Sequence, residues 1–192
     1  DDYSNGSVSL SSYFVEYVQI VTVRLNGSTY TGTVKNNSAT VTITGLSNLT
    51  DGNSYTFTAE VSNQAGTTAT VTSNSFTVDK TLPTLSSSVP AHVSTGIALT
   101  SNIVLNFSKA VDVESGNIVI KKSSDDSVFE TIDVTSGQVV GGGSTQITIN
   151  PSSDLEEQTQ YYVQIAATAF DDGSGIDYAG ISDTTTLSFT TA

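Results

Sequence analysis

The sequence predicts an all-β protein built as two β-sandwiches in tandem, and three observations carry that prediction. A leucine stands six residues ahead of a tyrosine twice, Leu49 to Tyr55 in LTDGNSYTFTAEV and Leu155 to Tyr161 in LEEQTQYYVQI. Each tyrosine is followed by a matching closing segment, SFTV at Ser75 to Val78 and SFTT at Ser188 to Thr191. Apolar and polar residues alternate through much of the chain, the period of a strand with one wet face, and no convincing helical stripe develops.

A leucine, a polar turn and a tyrosine opening a strand is the arrangement by which an immunoglobulin-like sandwich crosses between its sheets. The tyrosine hydroxyl bonds back to the backbone of the turn. The repeat of this arrangement makes the fold class two tandem immunoglobulin-like β-sandwiches, residues 1–80 and residues 81–192.

In the first half the alternation places strands at Val18 to Leu25, Thr29 to Val34, Ala39 to Thr44, Tyr55 to Val61 and Ala69 to Ser73. Turns such as Asn26-Gly27 and Asn36-Asn37 separate them, because Asn and Gly take positive φ at little cost. The second half gives strands at Asn102 to Phe107, Asn117 to Lys122, Val128 to Val134, Thr145 to Asn150, Tyr161 to Ala166 and Thr186 to Thr191. Only Asp154 to Gln158 has the composition for a single helical turn. Short strands at regular spacing mean a sandwich. Between the halves, Pro83 fixes its own φ and holds Leu82 extended, so the connection Val78 to Thr84 is expected to be short and firm.

Composition excludes several function classes. The net charge of the 192 residues is −13. Residues 1–80 hold six acids against three cations and the remainder thirteen against three, so the second half carries most of the excess. Such a surface repels phosphate backbones and anionic lipid heads, and no nucleic-acid partner or membrane insertion is expected. There is no cysteine, so neither a disulfide nor a thiolate nucleophile is available, and each half must fold by packing alone. No apolar stretch reaches the roughly 20 residues that span a bilayer, and the start DDYSNGS is no signal peptide. A first residue other than Met suggests a fragment of a longer protein.

The halves differ in one loop. Tyr55 to Phe76 spans 21 residues and Tyr161 to Phe189 spans 28, with the excess in AFDDGSGIDYAGISD. That loop holds Asp171, Asp172, Asp177 and Asp183 among glycines, and long loops on rigid scaffolds concentrate function.

The segment LSNLTDGNSYTFTAEVSNQAGTTATVTSNSFTVDKTLPT resembles the C-terminal part of bacterial Ig-like repeats, with the pattern Y-x-V-x-A, D-x-A-G-N, F-x-V-D-x-T-A-P. Asn63, Thr67 and Leu82 depart from it, standing where the pattern has Asp, Asn and Ala. From Pro90 onward, TSNIVLNFSKAV, GNIVIKK, TIDV, ITINPSSDLEEQTQYYVQI and DYAGISDTTTLSFTT resemble the Ig-like domain of S-layer proteins and of giant repeats-in-toxin (RTX) surface adhesins. The resemblance implies surface-exposed domains strung in arrays on a secreted bacterial protein, often stiffened by calcium at their junctions.

The acidic loops are the only candidate chemistry. In such a sandwich the loop with Asp112 and Glu114 (SKAVDVESGN) and the loop with Asp171, Asp172 and Asp177 belong at the pole where the chain enters, near Asp79. Calcium takes 6 to 8 oxygen ligands in irregular geometry, which spaced carboxylates can supply. From the residues alone a solvated polar rim is the favoured reading, as it is for most acidic loop clusters. The resemblance implies calcium, with Asp79, Asp112, Glu114, Asp171, Asp172 and Asp177 as its ligands and Asp51 as a weaker candidate.

Other features read more simply. His92 is the only histidine and has no partner from which to build a triad. Gly141 to Gly143 lacks the helix and Lys-Ser/Thr of a phosphate loop. Glu156-Glu157 reads as a polar turn, and Asp125-Asp126 as a hairpin turn. The Thr-x-Thr alternations at Thr40 and Thr70 read as outward strand faces. Asn-x-Ser/Thr triplets at Asn5, Asn26, Asn36, Asn48 and Asn106 follow from composition.

The expected function is a non-enzymatic extender of a large bacterial cell-surface adhesin, extracellular and monomeric. Its partners would be neighbouring Ig-like domains of the same chain, with calcium rigidifying the interdomain junction. Two alternatives remain at this point. One is a carbohydrate- or peptide-binding module using loop 169–183, with Tyr178 as an exposed aromatic platform, whose target would be a surface glycan or protein. The other is an accessory segment of a secreted polysaccharide-active enzyme.

Overall fold

The computed structural model describes the backbone of residues 5–11 and all atoms of residues 19–35, 38–62 and 65–192. The chain divides into two compact units, residues 1–80 and residues 81–192, each with its own core.

The first unit contains β1 (Asn5–Ser11), β2 (Ile20–Leu25), β3 (Ser28–Thr33), β4 (Ser38–Thr44), β5 (Ser54–Tyr55), β6 (Thr58–Ser62), β7 (Thr68–Thr72) and β8 (Phe76–Thr77). One sheet runs β3-β2-β6-β7, while β1 pairs β4 and β5 pairs β8, all antiparallel. Period-two burial decides what faces inward. Val21, Val23 and Leu25 of β2 pack with Ala39, Val41 and Ile43 of β4 and with Ala59 of β6. Gly32 shows how closely the layers approach, because a Cβ there would lie 2.6 Å from the Thr40 carbonyl oxygen.

The second unit contains β9 (Leu85–Val89), β10 (Ser94–Ile97), β11 (Ile103–Val113), β12 (Asn117–Lys122), β13 (Val128–Asp133), β14 (Val139–Val140), β15 (Ser144–Ile149), β16 (Gln160–Ile165), β17 (Phe170–Asp171) and β18 (Ser188–Thr191). One sheet runs β10-β18-β16-β12-β13 and the other β14-β15-β11-β17, with β9 beside β11. Ile103, Leu105, Ile118, Ile120, Ile132, Ile147, Ile149, Val163 and Phe189 are fully buried between them.

Both tyrosines close the turn ahead of them. The Thr50 N–H donates to the Tyr55 hydroxyl at 3.0 Å, and the Glu156 N–H donates to the Tyr161 hydroxyl at 2.9 Å. Tyr55 lies opposite Phe76, and Tyr161 lies opposite Phe189. Their burial differs: Tyr161 is fully buried, whereas Tyr55 is half-buried.

Three local expectations are corrected. Tyr55 to Val61 is broken at Thr56-Phe57, where the Ser73 hydroxyl rather than a backbone carbonyl takes the Phe57 N–H. Residues 154–158 form no helical turn, since Leu155 N–H is bonded to the Leu99 carbonyl and Glu156 N–H to Tyr161. The helical turn is the 3-10 segment Leu46–Asn48, entered through Gly45 at φ 74. β11 runs on to Val113, so Asp112 is a strand residue rather than a loop residue.

Replacing Tyr161 with Phe removes one buried acceptor and is expected to destabilise the second unit by about 1 kcal/mol. The half-exposed Tyr55→Phe should cost less, because water replaces the lost partner. Urea unfolding of the two variants checks the order.

Candidate functional site: the acidic end of the second unit

The carboxylates come together through the last turn of β11. Val111 is buried there, and alternation turns Asp112 outward. The long loop does not float free. Its first residues form β17, which lies antiparallel to the end of β11 with Asp112 opposite Asp171 and Val113 opposite Phe170. The loop then returns on itself, and Asp177 lies opposite Asp171. Three aspartates on three adjacent segments thus stand in a row, with Glu114 next along from β11. Like charges directly opposite across a ladder repel, so other contacts must hold the row in place.

Aromatic packing supplies part of that hold. Phe170 is fully buried, its ring 5.5 Å from Phe107, and Tyr178 meets Phe107 edge-on at 5.1 Å. Tyr178 is 6% exposed, so it is no platform for a sugar and the expectation of an exposed ring is corrected. Burial pushes its hydroxyl pKa up to about 12.

Lys109 supplies the rest. Its ammonium donates to Asp172 Oδ2 at 2.9 Å and to the Thr81 carbonyl at 2.7 Å. Asp172 Oδ1 accepts from the Ser174 N–H at 2.9 Å and the Ile176 N–H at 3.1 Å. Burial opposes a charge on Asp172, which is 5% exposed, but Lys109 and these two amides outweigh it and hold the carboxyl below its ordinary pKa. Asp172 is therefore a structural anion that shapes the loop. Sequence reasoning missed Lys109, although it is the only lysine or arginine between Lys80 and Lys121.

Asp171 is in the opposite position. Burial first, and then Glu114, Asp112, Asp177 and Asp172, raise its pKa above the ordinary carboxylate value. Its Oδ1 is buried with no hydrogen-bond partner. Hard carboxylate oxygens and an uncommitted buried acceptor suit a cation such as calcium. As the side chains stand, no three His, Cys, Asp or Glu groups among the described residues are close enough to hold one ion. Of the six expected ligands, the structure brings Asp112, Asp171 and Asp177 into one row with Glu114 beside it, and gives Asp172 to Lys109. Asp79 belongs to the first unit. In that unit Asp51 accepts the Lys80 N–H at 2.6 Å.

The remaining candidates have structural roles. His92 Nδ1 lies 3.3 Å from the Ser188 nitrogen. Gly141 to Gly143 joins β14 to β15, and Glu156 pairs with Lys122 at 2.5 Å. Among the described residues no helix is long and apolar enough to cross a membrane.

Removing the lysine amine in Lys109→Met leaves the buried Asp172 carboxylate without its counter-charge and is expected to cost about 3 kcal/mol in the second unit. The two aspartates also act oppositely with pH. Asp171, with its pKa raised on folding, contributes stability that is complete below the unfolded value near 3.9 and lost as pH rises through the folded value. Asp172, with its pKa lowered, contributes stability that is present above about 3.9 and lost as pH falls through its folded value. The second unit should therefore melt higher in mild acid than at pH 7 and lose stability in stronger acid. In Asp171→Asn the rise toward mild acid should be absent in thermal melts across pH.

A family model described as a bacterial Ig-like domain matches residues 79–191, and a second with the same description matches residues 14–80. No curated protein matches the chain in sequence. Among solved structures, the BSP domain of a biofilm associated protein is 18% identical over 97% of this chain and 27% of its own length, with a TM-score of 0.28. A Ca2+-stabilized adhesin that helps an Antarctic bacterium reach out and bind ice is 18% identical over 97% of this chain and 45% of its own, with a TM-score of 0.40. The N-terminal Ig1-2 module of the Drosophila receptor protein tyrosine phosphatase DLAR is 13% identical over 98% and 89%, with a TM-score of 0.29. The chain thus spans less than half the length of the first two of these structures. On the two family matches, which between them run from residue 14 to residue 191, the chain belongs to the bacterial Ig-like domains.

Proposed function

We propose that this chain is a non-enzymatic extender segment of a large bacterial cell-surface adhesin of the RTX type, its second unit a domain of the S-layer kind. It would work outside the cell as a monomer, with other Ig-like domains of the same polypeptide as its neighbours. The observation that carries this reading is that each unit ties down its own end of the chain at residues 80 and 81. Lys80 is bonded back to its own unit, its N–H to Asp51 and its ammonium to the Ser47 and Leu49 carbonyls. The Thr81 carbonyl is taken by Lys109 of the second unit, and Thr84 exchanges hydrogen bonds with Ser108. Ends tied down within each unit suit modules strung in tandem.

The finer part of the proposal is calcium. Asp112, Glu114, Asp171 and Asp177 would hold it, with Asp171 Oδ1 as the acceptor that has no other use. Small side-chain rotations would gather the row, and the ion would cancel its mutual repulsion and limit bending between units. Asp79 would join this set only if the first unit brings it there. The burial of Tyr178 removes the main support for a sugar-binding loop.

Ligand that binds only the folded state stabilises by RT ln(1 + [L]/Kd), about 2.7 kcal/mol at a hundredfold excess. Millimolar calcium is therefore expected to raise the melting temperature of the second unit in calorimetry. Asp171→Asn separates the possibilities. Without calcium it relieves repulsion and should stabilise the unit by about 1 kcal/mol. With calcium it should abolish the shift. If calcium changes neither melting nor the scattering profile of the wild-type chain, the acids are a solvated rim.

A further inference from the structure

In the second unit the first rung between β18 and the segment entering β10 is closed by a side chain. Toward β16, the Leu187 carbonyl takes the Val163 N–H at 2.9 Å and the Thr191 N–H reaches the Thr159 carbonyl at 3.1 Å. Strand alternation therefore turns both polar backbone groups of Ser188 the other way, toward β10. The Ser188 carbonyl accepts the Val93 N–H at 2.7 Å. The Ser188 N–H is taken by a ring nitrogen instead of a carbonyl: Nδ1 of His92 lies 3.3 Å from the Ser188 nitrogen and 3.3 Å from its hydroxyl.

That bond fixes the protonation of the ring. A backbone N–H only donates, so the nitrogen facing it must offer a lone pair, and the proton of the neutral imidazole sits on Nε2. Imidazole is the side chain that ordinarily changes charge between about pH 5 and 8. His92 is exposed, so protons reach it. The second proton goes to Nδ1 and sets two donors against each other. The Ser188 hydroxyl can still accept from the charged ring, but the amide cannot. Ser188 is only 5% exposed, so water is a poor replacement for the lost acceptor.

The other ionisable groups of this face do not reward a charged ring. On β16, Tyr162 lies opposite Ser188, and on β12, Lys121 lies opposite Tyr162 with its ammonium 5.9 Å from the centre of the tyrosine ring. In the β12–β13 turn, Asp126 accepts from the Tyr162 hydroxyl at 3.0 Å and Asp125 from the N–H and hydroxyl of Ser127. Ahead of β18, Asp183 accepts from the N–H and hydroxyl groups of Thr185 and Thr186. Between Pro90 and Ile97 the one titratable side chain is His92 itself. Among the described residues none of these carboxylates forms an ion pair with His92.

We propose that His92 is a proton-operated latch at the edge of this sheet. With the ring neutral, the rung between Ser188 and the entry to β10 is closed. With the ring charged, the rung opens and the segment from Ala91 to Ile97 loosens while the rest of the sheet stays paired. The latch works whether or not the acidic end takes calcium.

The test follows amide exchange by NMR in the full chain, in chelator, at about pH 5 and about pH 7.5, with each rate referred to that of an unstructured peptide at the same pH. Protection of the Ser188 and Val93 amides is expected to fall about fivefold to tenfold at the lower pH. The Ile165 amide, bonded to the Ile181 carbonyl in the same sheet, reports any change common to the whole unit. In His92→Asn the side-chain oxygen stands where Nδ1 stood and does not titrate, so protection should be high at both pH values. In His92→Ala it should be low at both. Equal protection of the wild-type amides at the two pH values overturns the proposal, as does an acid loss shared equally by Ile165. An acid loss that persists in His92→Asn places the titrating group elsewhere, and full protection in His92→Ala shows that the amide does not need the ring; either result overturns it too.

Discussion

The second unit rests on the side chain of Tyr161. Its ring lies between Phe129 and Phe189, at 5.3 and 5.8 Å, and its hydroxyl takes the amide that the turn would otherwise leave unmet. One residue thereby ties the crossing between sheets to the centre of the core. With no cysteine in the chain, that tie is the nearest equivalent to a covalent clasp. The first unit repeats the hydrogen bond without the full enclosure. Its aromatic pair is only half-covered, which makes its polar contacts at Lys80 and Asp51 a larger share of what fixes its end.

The acidic end of the second unit shows how a fold accommodates repulsion. Asp112 and Asp171 face each other across a ladder, an arrangement that costs free energy in isolation. It is tolerated because Phe170 and Tyr178 anchor the loop from below and Lys109 anchors it from the side. Lys109 is an internal cation for Asp172 and leaves the rest of the acidic end uncompensated. Asp172 is thus satisfied by the protein itself, whereas Asp112, Asp171 and Asp177 keep their mutual repulsion.

The sequence showed the fold through its strongest local signals. Leucine and tyrosine six residues apart, and apolar alternation in segments such as Ile118 to Ile120, are enforced by burial and so survive in the residue pattern. The tail of β11 was harder to see for a physical reason. Lys109 stands on the inward phase of the series Ile103, Leu105, Phe107, Val111, where an apolar residue would continue the strand, and the register shifts between Asn106 and Val111. The charge that conceals the strand is the one that organises the site. β10 was missed because Ser94 to Ile97 contains glycine and little apolar alternation. Tyr178 was misjudged because its neighbours are polar, while its actual partner, Phe107, lies 71 residues away in sequence. Asp171 and Asp172 look alike in the sequence, and only tertiary contacts give one a counter-charge and deny it to the other.

The parallel run of β10 along β18 has a mechanical consequence. These strands lie near opposite ends of the second unit's chain, so a pull applied at residues 81 and 192 loads their pairing along the strand axis. A ladder loaded lengthwise cannot unzip bond by bond, and its hydrogen bonds must give way together. The antiparallel hairpins elsewhere in the unit would peel apart under far less load, but they are not in the line of pull. The second unit thus has its most load-resistant pairing on the line between its own two ends.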